Sequence, residues 1–366
     1  MGGAERSLYD IIKFFVKKNK FDVYFMGIEG SELANKVRED FGISVFTLKN
    51  TKFWRIKRWD FYLNPFNFFF FIKTLREFRK KISFLKPDII YTNTVKFHLL
   101  SLFARCSKWI IHMRDILTQD NFLLKILVKF FENRSDKIIC ISKSVQKQFK
   151  NRGKAILVYN GIDRPKNFEN SELQIAQIKR QLRLKDESFV VSNIGQIAKW
   201  KGQEYFVKIA RCLRKKSDSF EFLLVGDAIF SKENGYKEKI LNMAKNLKNF
   251  HYLGWRDPWQ ILLISDIVIH TPVKPEPFGR VILESFISGK PVLAFKNGAT
   301  EELIKDGYNG YLFEVGDYKG MADKILEIFK DADLYKYLSK NALETAKKFS
   351  LKKMLNNVGK IVYEVI

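Results

Sequence analysis

Two carboxylates eight positions apart, Glu276 and Glu284, lie between two short apolar segments that both predict β-strands. The strand-like segments are 266–270 before the pair and 291–295 after it, and the stretch between contains Pro, Gly and a short apolar run. A strand, a loop with Pro and Gly, a helix and a second strand form the βαβ pattern. A chain with this unit at its centre is constrained to a parallel sheet flanked by helices.

The loop between these elements has the properties of a ligand site. We expect the helix to begin near Gly279, where its first amides have no partner within the helix and can bind a phosphate. Glu276 would lie in the loop and Glu284 about one and a half turns into the helix, since an α-helix has ~3.6 residues per turn. Two acids beside a phosphate suit the hydroxyl groups of a sugar better than the phosphate itself. The alternative is a loop–helix junction with two solvated glutamates.

The remainder of the chain repeats the alternation of strands and helices. A length of 366 residues is sufficient for two domains, and a turn at 160–163 separates them. We expect an α/β fold with parallel sheets covered on both faces. The predicted strands are 21–27, 44–48, 88–92, 109–113, 137–141, 155–158, 189–194, 220–225, 249–253, 266–270, 291–295 and 309–313; the main predicted helices are 8–16, 31–40, 95–106, 121–134, 142–150, 171–182, 203–215, 317–331, 333–348 and 350–366.

Residues 276–284 resemble the E-x7-E motif of retaining glycosyltransferases with the GT-B fold, specifically the large family 4. The resemblance covers nearly the whole chain and is densest over 189–315. It implies two Rossmann-like α/β domains that face a central cleft. The N-terminal acceptor-side domain would comprise 1–163, joined by the terminal helix 350–366 that crosses back to it, and the nucleotide-sugar-binding domain would comprise 164–349.

The resemblance also implies a reaction and its residues. A sugar would move from a nucleotide-diphosphate donor to an acceptor hydroxyl with retention of the anomeric configuration, and the growing charge on the diphosphate would be stabilised without a metal. Lys201 matches the family's G-R-x4-K-G motif, whereas Gln196 replaces its Arg and leaves one cation fewer. Glu276 would hold sugar hydroxyls, Glu284 the ribose hydroxyls, and His112 the sugar or the acceptor. The implied catalytic residues are His112 and Glu276, and the implied donor-binding residues are Gly3, Gln196, Lys201, Phe278, Gly279, Arg280 and Glu284.

The beginning of the sequence departs from the family pattern. Residues 2–6, G-G-A-E-R, follow the first, central strand of the N-terminal sheet in the resembling family, and here that strand is absent. We expect either a misassigned start or a truncated chain, and a first domain of reduced stability if the strand is truly missing.

The charge of the chain bears on its partners. A formal net charge of +25 favours nucleic acid, anionic lipid or an anionic small substrate. Nucleic acid is not expected, because no zinc-finger, RNP or helix-turn-helix signature is present. Residues 52–72 interleave basic and aromatic side chains, which suits an anionic membrane surface. Single-stranded nucleic acid, or a surface loop followed by a core helix from Pro65, are the other interpretations.

Three cysteines, at 106, 140 and 212, have neither paired nor metal-type spacing, which favours a reduced, cytoplasmic compartment. Peripheral association with the inner face of the cell membrane is a further expectation. Asp331 and Asp333 match the D-x-D of metal-dependent glycosyltransferases, but they lie in a helix–helix connection, so we interpret them as a cap. We expect no metal and no cofactor.

The expected role is synthesis of a cell-envelope polysaccharide or glycolipid, with a glycan or lipid-linked acceptor. Two alternatives are a nucleotide-sugar epimerase on the same scaffold and a non-catalytic basic membrane-binding protein.

Overall fold

The computed structural model describes residues 2–49, 51–55, 65–117, 122–165 and 171–366. The chain forms two compact units, one of Met1–Gly161 with Leu351–Ile366 and one of Ile162–Ser350. The sequence analysis divides the chain at 163 and 349. Each unit is a parallel α/β structure, which confirms the predicted fold class.

The first unit contains two parallel sheets instead of the single predicted sheet. Within the described residues, no strand ladder joins the two-stranded sheet to the four-stranded one. The strands are β1 (Phe25–Ile28) and β2 (Val45–Leu48) in one sheet, and β3 (Ile89–Thr92), β4 (Lys108–Met113), β5 (Lys137–Cys140) and β6 (Ala155–Leu157), in that order, in the other.

The helices of the first unit follow the predicted alternation, with three differences. The helix predicted over 95–106 ends at Leu102, and Lys52–Arg55 form a short helix that the sequence analysis does not predict. The helix predicted over 142–150 ends at Gln146, because the Phe149 amide donates back to the Gln146 carbonyl at 3.0 Å and tightens the chain into a turn. This turn buries the Phe149 ring. The helices are α1 (Gly3–Lys18), α2 (Glu32–Phe41), α3 (Lys52–Arg55), α4 (Pro65–Leu85), α5 (Val95–Leu102), α6 (Phe122–Arg134) and α7 (Lys143–Gln146).

The second unit is built on a six-stranded parallel sheet covered on both faces. Strands predicted at 189–194 and 220–225 are confirmed to the residue, whereas helices α10 and α11 below occupy segments for which we predict no element. The strands are β7 (Phe189–Ile194), β8 (Phe220–Val225), β9 (Phe250–Tyr252), β10 (Ile267–His270), β11 (Val292–Phe295) and β12 (Gly310–Phe313), ordered β12-β11-β10-β7-β8-β9. The helices are α8 (Glu172–Gln181), α9 (Gln203–Arg214), α10 (Asn234–Ala244), α11 (Pro258–Ile264), α12 (Arg280–Ile287), α13 (Thr300–Leu303), α14 (Tyr318–Lys330) and α15 (Ala332–Ala346).

The terminal helix α16 (Leu351–Val365) returns to the first unit, as predicted. Its buried stripe includes Met354 and Val358, which join Ile110 and Ile139 of the four-stranded sheet in one apolar core. Burial of this apolar surface, which contributes about 25 cal/mol per Å², stabilises the packing of α16 against the first unit. The end of the chain therefore stabilises its beginning.

The carboxyl ends of β7 and β8 approach each other closely at two glycines. Gly226 has a φ of +122°, and a Cβ at this position would lie 2.0 Å from the Gly195 carbonyl oxygen. The Gly226 amide donates to the Gly254 carbonyl at 2.7 Å. No side chain fits here, so the loops of the second unit depend on glycine for their spacing.

Replacement of Gly226 by Ala should lower the free energy of unfolding by about 3 kcal/mol or more, because both the backbone conformation and the space forbid a Cβ. Urea denaturation followed by circular dichroism measures the change. The control is Gly235→Ala in α10, where no atom lies within 4 Å of the added Cβ. Equal stability of the two variants would contradict this packing argument.

Candidate functional site

Three loops at the carboxyl ends of β7, β10 and β11 are fastened together by backbone hydrogen bonds. The Val273 amide donates to the Trp200 carbonyl at 2.8 Å, and the Glu276 amide donates to the Asn297 carbonyl at 3.1 Å. The Ala299 amide donates to the Glu276 carbonyl at 2.8 Å. The backbone of Glu276 is therefore fastened to the loop after β11, and its own loop is fastened to the loop after β7, at the edge where open α/β sheets bind ligands.

The Glu276 side chain is buried and accepts two hydrogen bonds on one oxygen. Its Oε2 lies 2.6 Å from Lys201 Nζ and 3.0 Å from His270 Nε2. Lys201 Nζ also lies 4.2 Å from the centroid of the Trp200 ring, a favourable position for a cation. Two predicted site residues 75 positions apart in sequence are thus in direct contact.

The charges and the burial of this cluster determine the protonation states of Glu276 and His270. Burial alone would raise the pKa of Glu276, but the Lys201 ammonium and the hydrogen bond from His270 outweigh it and hold that pKa well below its ordinary value. Burial lowers the pKa of His270, against the opposing influence of Glu276. At neutral pH His270 is therefore a neutral imidazole that donates its Nε2 proton to an ionised Glu276.

The helix beside this cluster begins as the sequence predicts. Gly279 has a φ of +85° in the left-handed region, and α12 starts at the next residue. A Cβ on Gly279 would lie 2.8 Å from Ile282 Cδ1 and 3.5 Å from Glu276 Cγ, so glycine permits both the turn and the close approach. Phe278 is buried. The amides at the start of α12 and the Glu276 carboxylate therefore belong to one constellation.

Glu284 and Arg280 form an ion pair along α12. Arg280 Nε donates to Glu284 Oε1 at 2.8 Å, at the favourable spacing of four residues. Glu284 is buried, and the guanidinium of Arg280 compensates for its charge. The predicted ribose contact of Glu284 stays a prediction.

Gln196 lies in the loop after β7, which is held in place by a second glutamine. The buried Gln203 donates through Nε2 to the Gln196 carbonyl at 2.8 Å and accepts from the Ala198 amide at 3.4 Å. Gln203 was not among the predicted site residues. Its role is to shape the loop that carries Lys201.

The other predicted site residues, Gly3 and His112, belong to the first unit. His112 lies at the end of β4, and its Nδ1 is 2.5 Å from Tyr91 Oη and 3.3 Å from Arg114 Nη2. Because a guanidinium only donates, Nδ1 is the acceptor and the ring proton is on Nε2. This Nε2 is buried and has no hydrogen-bond partner among the residues that the structure describes. Burial, Arg114 and His98 hold the pKa of His112 well below its ordinary value.

Arg114 connects the end of β4 to the start of the chain. Its guanidinium donates to Ser7 Oγ at 2.9 Å, Asn93 Oδ1 at 2.6 Å and Asn160 Oδ1 at 2.9 Å. Ser7 belongs to α1, which begins at Gly3. The glycine-rich start is therefore anchored to the same edge of the sheet as His112.

The D-x-D segment is a helix cap, as interpreted from the sequence. Asp331 Oδ1 accepts from the Asp333 amide at 3.0 Å and from the Leu334 amide at 2.9 Å. Over the described ranges, no group of three or more His, Cys, Asp or Glu is arranged to hold a metal ion. A membrane-crossing helix is likewise not found in this part of the chain.

His270 is a buried residue of this cluster that the sequence analysis does not single out. It occupies the last position of β10, and His112 occupies the last but one of β4. A histidine at the carboxyl end of a strand, six residues before Glu276, is the signal that would have identified it.

The contact between Lys201 and Glu276 can be measured by a double-mutant cycle. Lys201→Met should cost about 3 kcal/mol of unfolding free energy, because it leaves a buried carboxylate without its cation. The double variant Lys201→Met/Glu276→Gln should lose less than the sum of the single losses. Urea denaturation gives all four values, and the exposed pair Lys336–Asp333, 3.9 Å apart, is the control for which no coupling is expected. Additive losses at Lys201 and Glu276 would contradict the contact.

The buried histidines predict a pH dependence of stability. His112 and His270 have folded-state pKa values below the ordinary 6.5, so the unfolded chain binds more protons just below that pH. Unfolding free energy should therefore fall as pH decreases below about 6.5, by at most about 1.4 kcal/mol per pH unit for each histidine. His270→Gln should flatten this slope between pH 7 and pH 5; an unchanged slope in both His270→Gln and His112→Gln would refute the argument.

Two family models match consecutive parts of the chain. Glycosyltransferase Family 4 matches residues 1–165, and Glycosyl transferases group 1 matches residues 174–345. The second match contains Lys201, Glu276 and Glu284.

Curated relatives agree with these matches. The chain is 27% identical over 261 residues to an uncharacterised glycosyltransferase of Methanocaldococcus jannaschii, covering 70% of this chain and 67% of that one. It is 27% identical over 255 residues to N-acetyl-alpha-D-glucosaminyl L-malate synthase of Bacillus anthracis, covering 66% and 63%. The match thus spans less than two thirds of the Bacillus enzyme.

Solved structures extend the similarity over the full chain. HepE of Anabaena in complex with UDP-glucose superposes with a TM-score of 0.80 at 25% identity, covering 100% of this chain and 96% of that one. HepE in complex with UDP and glucose gives a TM-score of 0.80 at 26% identity, covering 99% and 96%. The family models, these neighbours and the two parallel α/β units agree: the chain belongs to the group 1 glycosyltransferases of the GT-B fold.

Proposed function

We propose that the protein transfers a sugar from a nucleotide-diphosphate donor to an acceptor hydroxyl with retention of the anomeric configuration. The observation that carries the proposal is the contact of Glu276 with Lys201 and His270 beside the start of α12. This constellation offers a cation, helix amides and an ionised acceptor side by side. These are the groups that a diphosphate attached to a hydroxylated sugar requires.

The hard step is departure of the diphosphate from an oxocarbenium-like sugar. Negative charge grows on the leaving group, and Lys201 with the amides of residues 278–280 would stabilise it without a metal. Lys201 would then turn from Glu276 toward the phosphates. Gln196 adds no charge here, so the leaving group relies on fewer cations than the family motif usually provides.

Glu276 is suited to bind the sugar and unsuited to donate a proton. Its carboxylate is ionised, so it accepts hydrogen bonds from sugar hydroxyls. His270 holds one of its oxygens and thereby fixes the direction of the other. In the first unit, the Nε2 proton of His112 is a buried donor without a partner among the described residues, and we assign it to a sugar hydroxyl. Gly3 and Glu284 would contact the donor through its phosphate and its ribose, respectively.

The first donor to consider is a UDP-sugar, because the HepE structures contain UDP and UDP-glucose. The acceptor would be a glycan or a lipid-linked glycan of the cell envelope, handled in the cytoplasm at the inner face of an anionic membrane.

Donor binding should raise the apparent stability by mass action, about 2.7 kcal/mol at a donor concentration of 100 Kd. A thermal-shift panel of UDP-, GDP- and ADP-sugars should therefore identify a donor through a higher Tm. Glu276→Ala should reduce the shift, whereas Glu344→Ala, on the exposed face of α15, should keep it. No shift with any nucleotide sugar, on folded protein, would contradict the proposal.

Transfer should continue in EDTA, and Glu276→Gln should lower kcat/KM by about 10²–10³, the range found for lost transition-state contacts. Labelled donor and product analysis by chromatography measure both. An unaffected rate in Glu276→Gln would contradict the assigned role, and conversion of the donor sugar without any acceptor would identify an epimerase instead.

A further inference from the structure

Helix α6 is apolar on two opposite faces. Its inner face consists of Leu124, Val128 and Phe131, all buried at 2% exposure or less. Its outer face is apolar as well, although it is exposed. The α6 outer face consists of Phe122, Leu123, Ile126 and Phe130, which are 72%, 48%, 37% and 53% exposed.

The spacing shows that this exposure is an organised stripe. Phe122, Ile126 and Phe130 recur every four residues, so they follow one another along the same side of the helix. Lys125 and Lys129 repeat with the same period beside the stripe, and both are exposed. Aromatic and aliphatic side chains bordered by lysines are the composition of helices that lie in a membrane interface.

Helix α4, which is linked to α6 through α5, adds positive charge. Ring contacts join α4 to α5, where Phe78 and Phe97 lie 6.4 Å apart, and α5 to α6, where His98 and Phe131 lie 5.7 Å apart. The exposed side of α4 carries four basic residues, and at its N-terminal end Phe68 and Phe69 are 52% and 61% exposed. The basic residues are Lys73, Arg76, Arg79 and Lys80.

The structure bears on only part of residues 52–72, so the sequence-based membrane hypothesis for that segment stays a prediction. Residues 56–64 lie outside the described residues, and the aromatic rings of Phe53 and Phe71 are buried against each other with centroids 5.8 Å apart. Part of that aromatic segment thus belongs to the core. An exposed apolar stripe lies on α6, in a segment that the sequence analysis treats only as a helix.

We propose that the α6 outer face binds the surface of an anionic lipid bilayer. Phe122, Ile126 and Phe130 insert between the lipid headgroups. The lysines of α6 and the basic residues of α4 lie above the headgroups and attract the anionic lipid. Charge decides between occupants: a second copy of a chain with a net charge of +25 would be repelled, whereas an anionic surface is attracted. The inference does not depend on the proposed glycosyl transfer.

The test is co-sedimentation of the full chain with phosphatidylcholine vesicles and with the same vesicles containing phosphatidylglycerol, without any nucleotide sugar. The protein should pellet with the anionic vesicles alone, and binding should weaken as salt is added. Phe122→Ser/Phe130→Ser should lower the partition coefficient roughly tenfold or more, since two inserted rings are lost. Leu173→Ser/Tyr337→Ser, which removes two exposed apolar groups of the second unit, should bind as the original protein does.

A second variant, in which two lysines are neutralised, tests the proposal even if Phe122→Ser/Phe130→Ser does not fold. Lys125→Gln/Lys129→Gln should also weaken binding, whereas Lys319→Gln/Lys340→Gln, with the same change of net charge, should weaken it less. A chain that stays in the supernatant with anionic vesicles overturns the proposal. So does equal binding by the α6 variants and their controls, or a dimer in size-exclusion chromatography that Phe122→Ser/Phe130→Ser converts to a monomer. Donor thermal shifts measured on the same variants keep a failure of lipid binding distinct from a failure of the proposed activity.

Discussion

The ion pair between Lys201 and Glu276 is the interaction on which the site depends. Glu276 is buried and Lys201 is partly buried, with 2.6 Å between their charged groups, and removal of Lys201 would leave the buried carboxylate without its cation. The pair also connects the loop after β7 with the loop after β10. The fold brings these loops together because β7 and β10 are adjacent parallel strands whose carboxyl ends meet at one edge.

The surrounding structure serves to hold that pair. Gln203 shapes the loop of Lys201, His270 occupies one oxygen of Glu276, and the Ala299 amide binds its backbone carbonyl. Such support matters since a ligand site loses efficiency when its groups are displaced by even about 1 Å. The arrangement is that of a preorganised site in which one contact, from Lys201, is available for exchange with a phosphate.

Much of this site was predictable because its signal is local in sequence. Glu276, Gly279 and the start of α12 lie within five residues, and glycine in a left-handed turn before a helix leaves a readable pattern. His270 was missed because a single histidine at the end of an apolar strand resembles any buried polar residue, and its contact with Glu276 depends on the loop's path. Gln203 was missed for a different reason: its hydrogen bonds go to backbone groups, which no residue pattern reveals.

The first unit shows more clearly which structural features the sequence pattern cannot predict. Periodicity predicted its strands but not that, among the described residues, they pair in two sheets, since pairing is a long-range property that strand composition does not encode. The sequence predicts a helix at 121–134. A helix that is apolar on all sides is expected to be buried on all sides. Only the structure shows that Phe131 is buried whereas Phe130 is exposed.

Calorimetric titration of UDP and of a UDP-sugar, on the original protein and two variants, tests the central claim most directly. If Lys201 binds the diphosphate while Glu276 binds the sugar, Lys201→Met should weaken both ligands by a similar factor. Glu276→Gln should weaken the UDP-sugar but leave UDP binding unchanged or tighter, because it releases Lys201. Loss of UDP affinity in Glu276→Gln as large as the loss for the UDP-sugar would contradict the account.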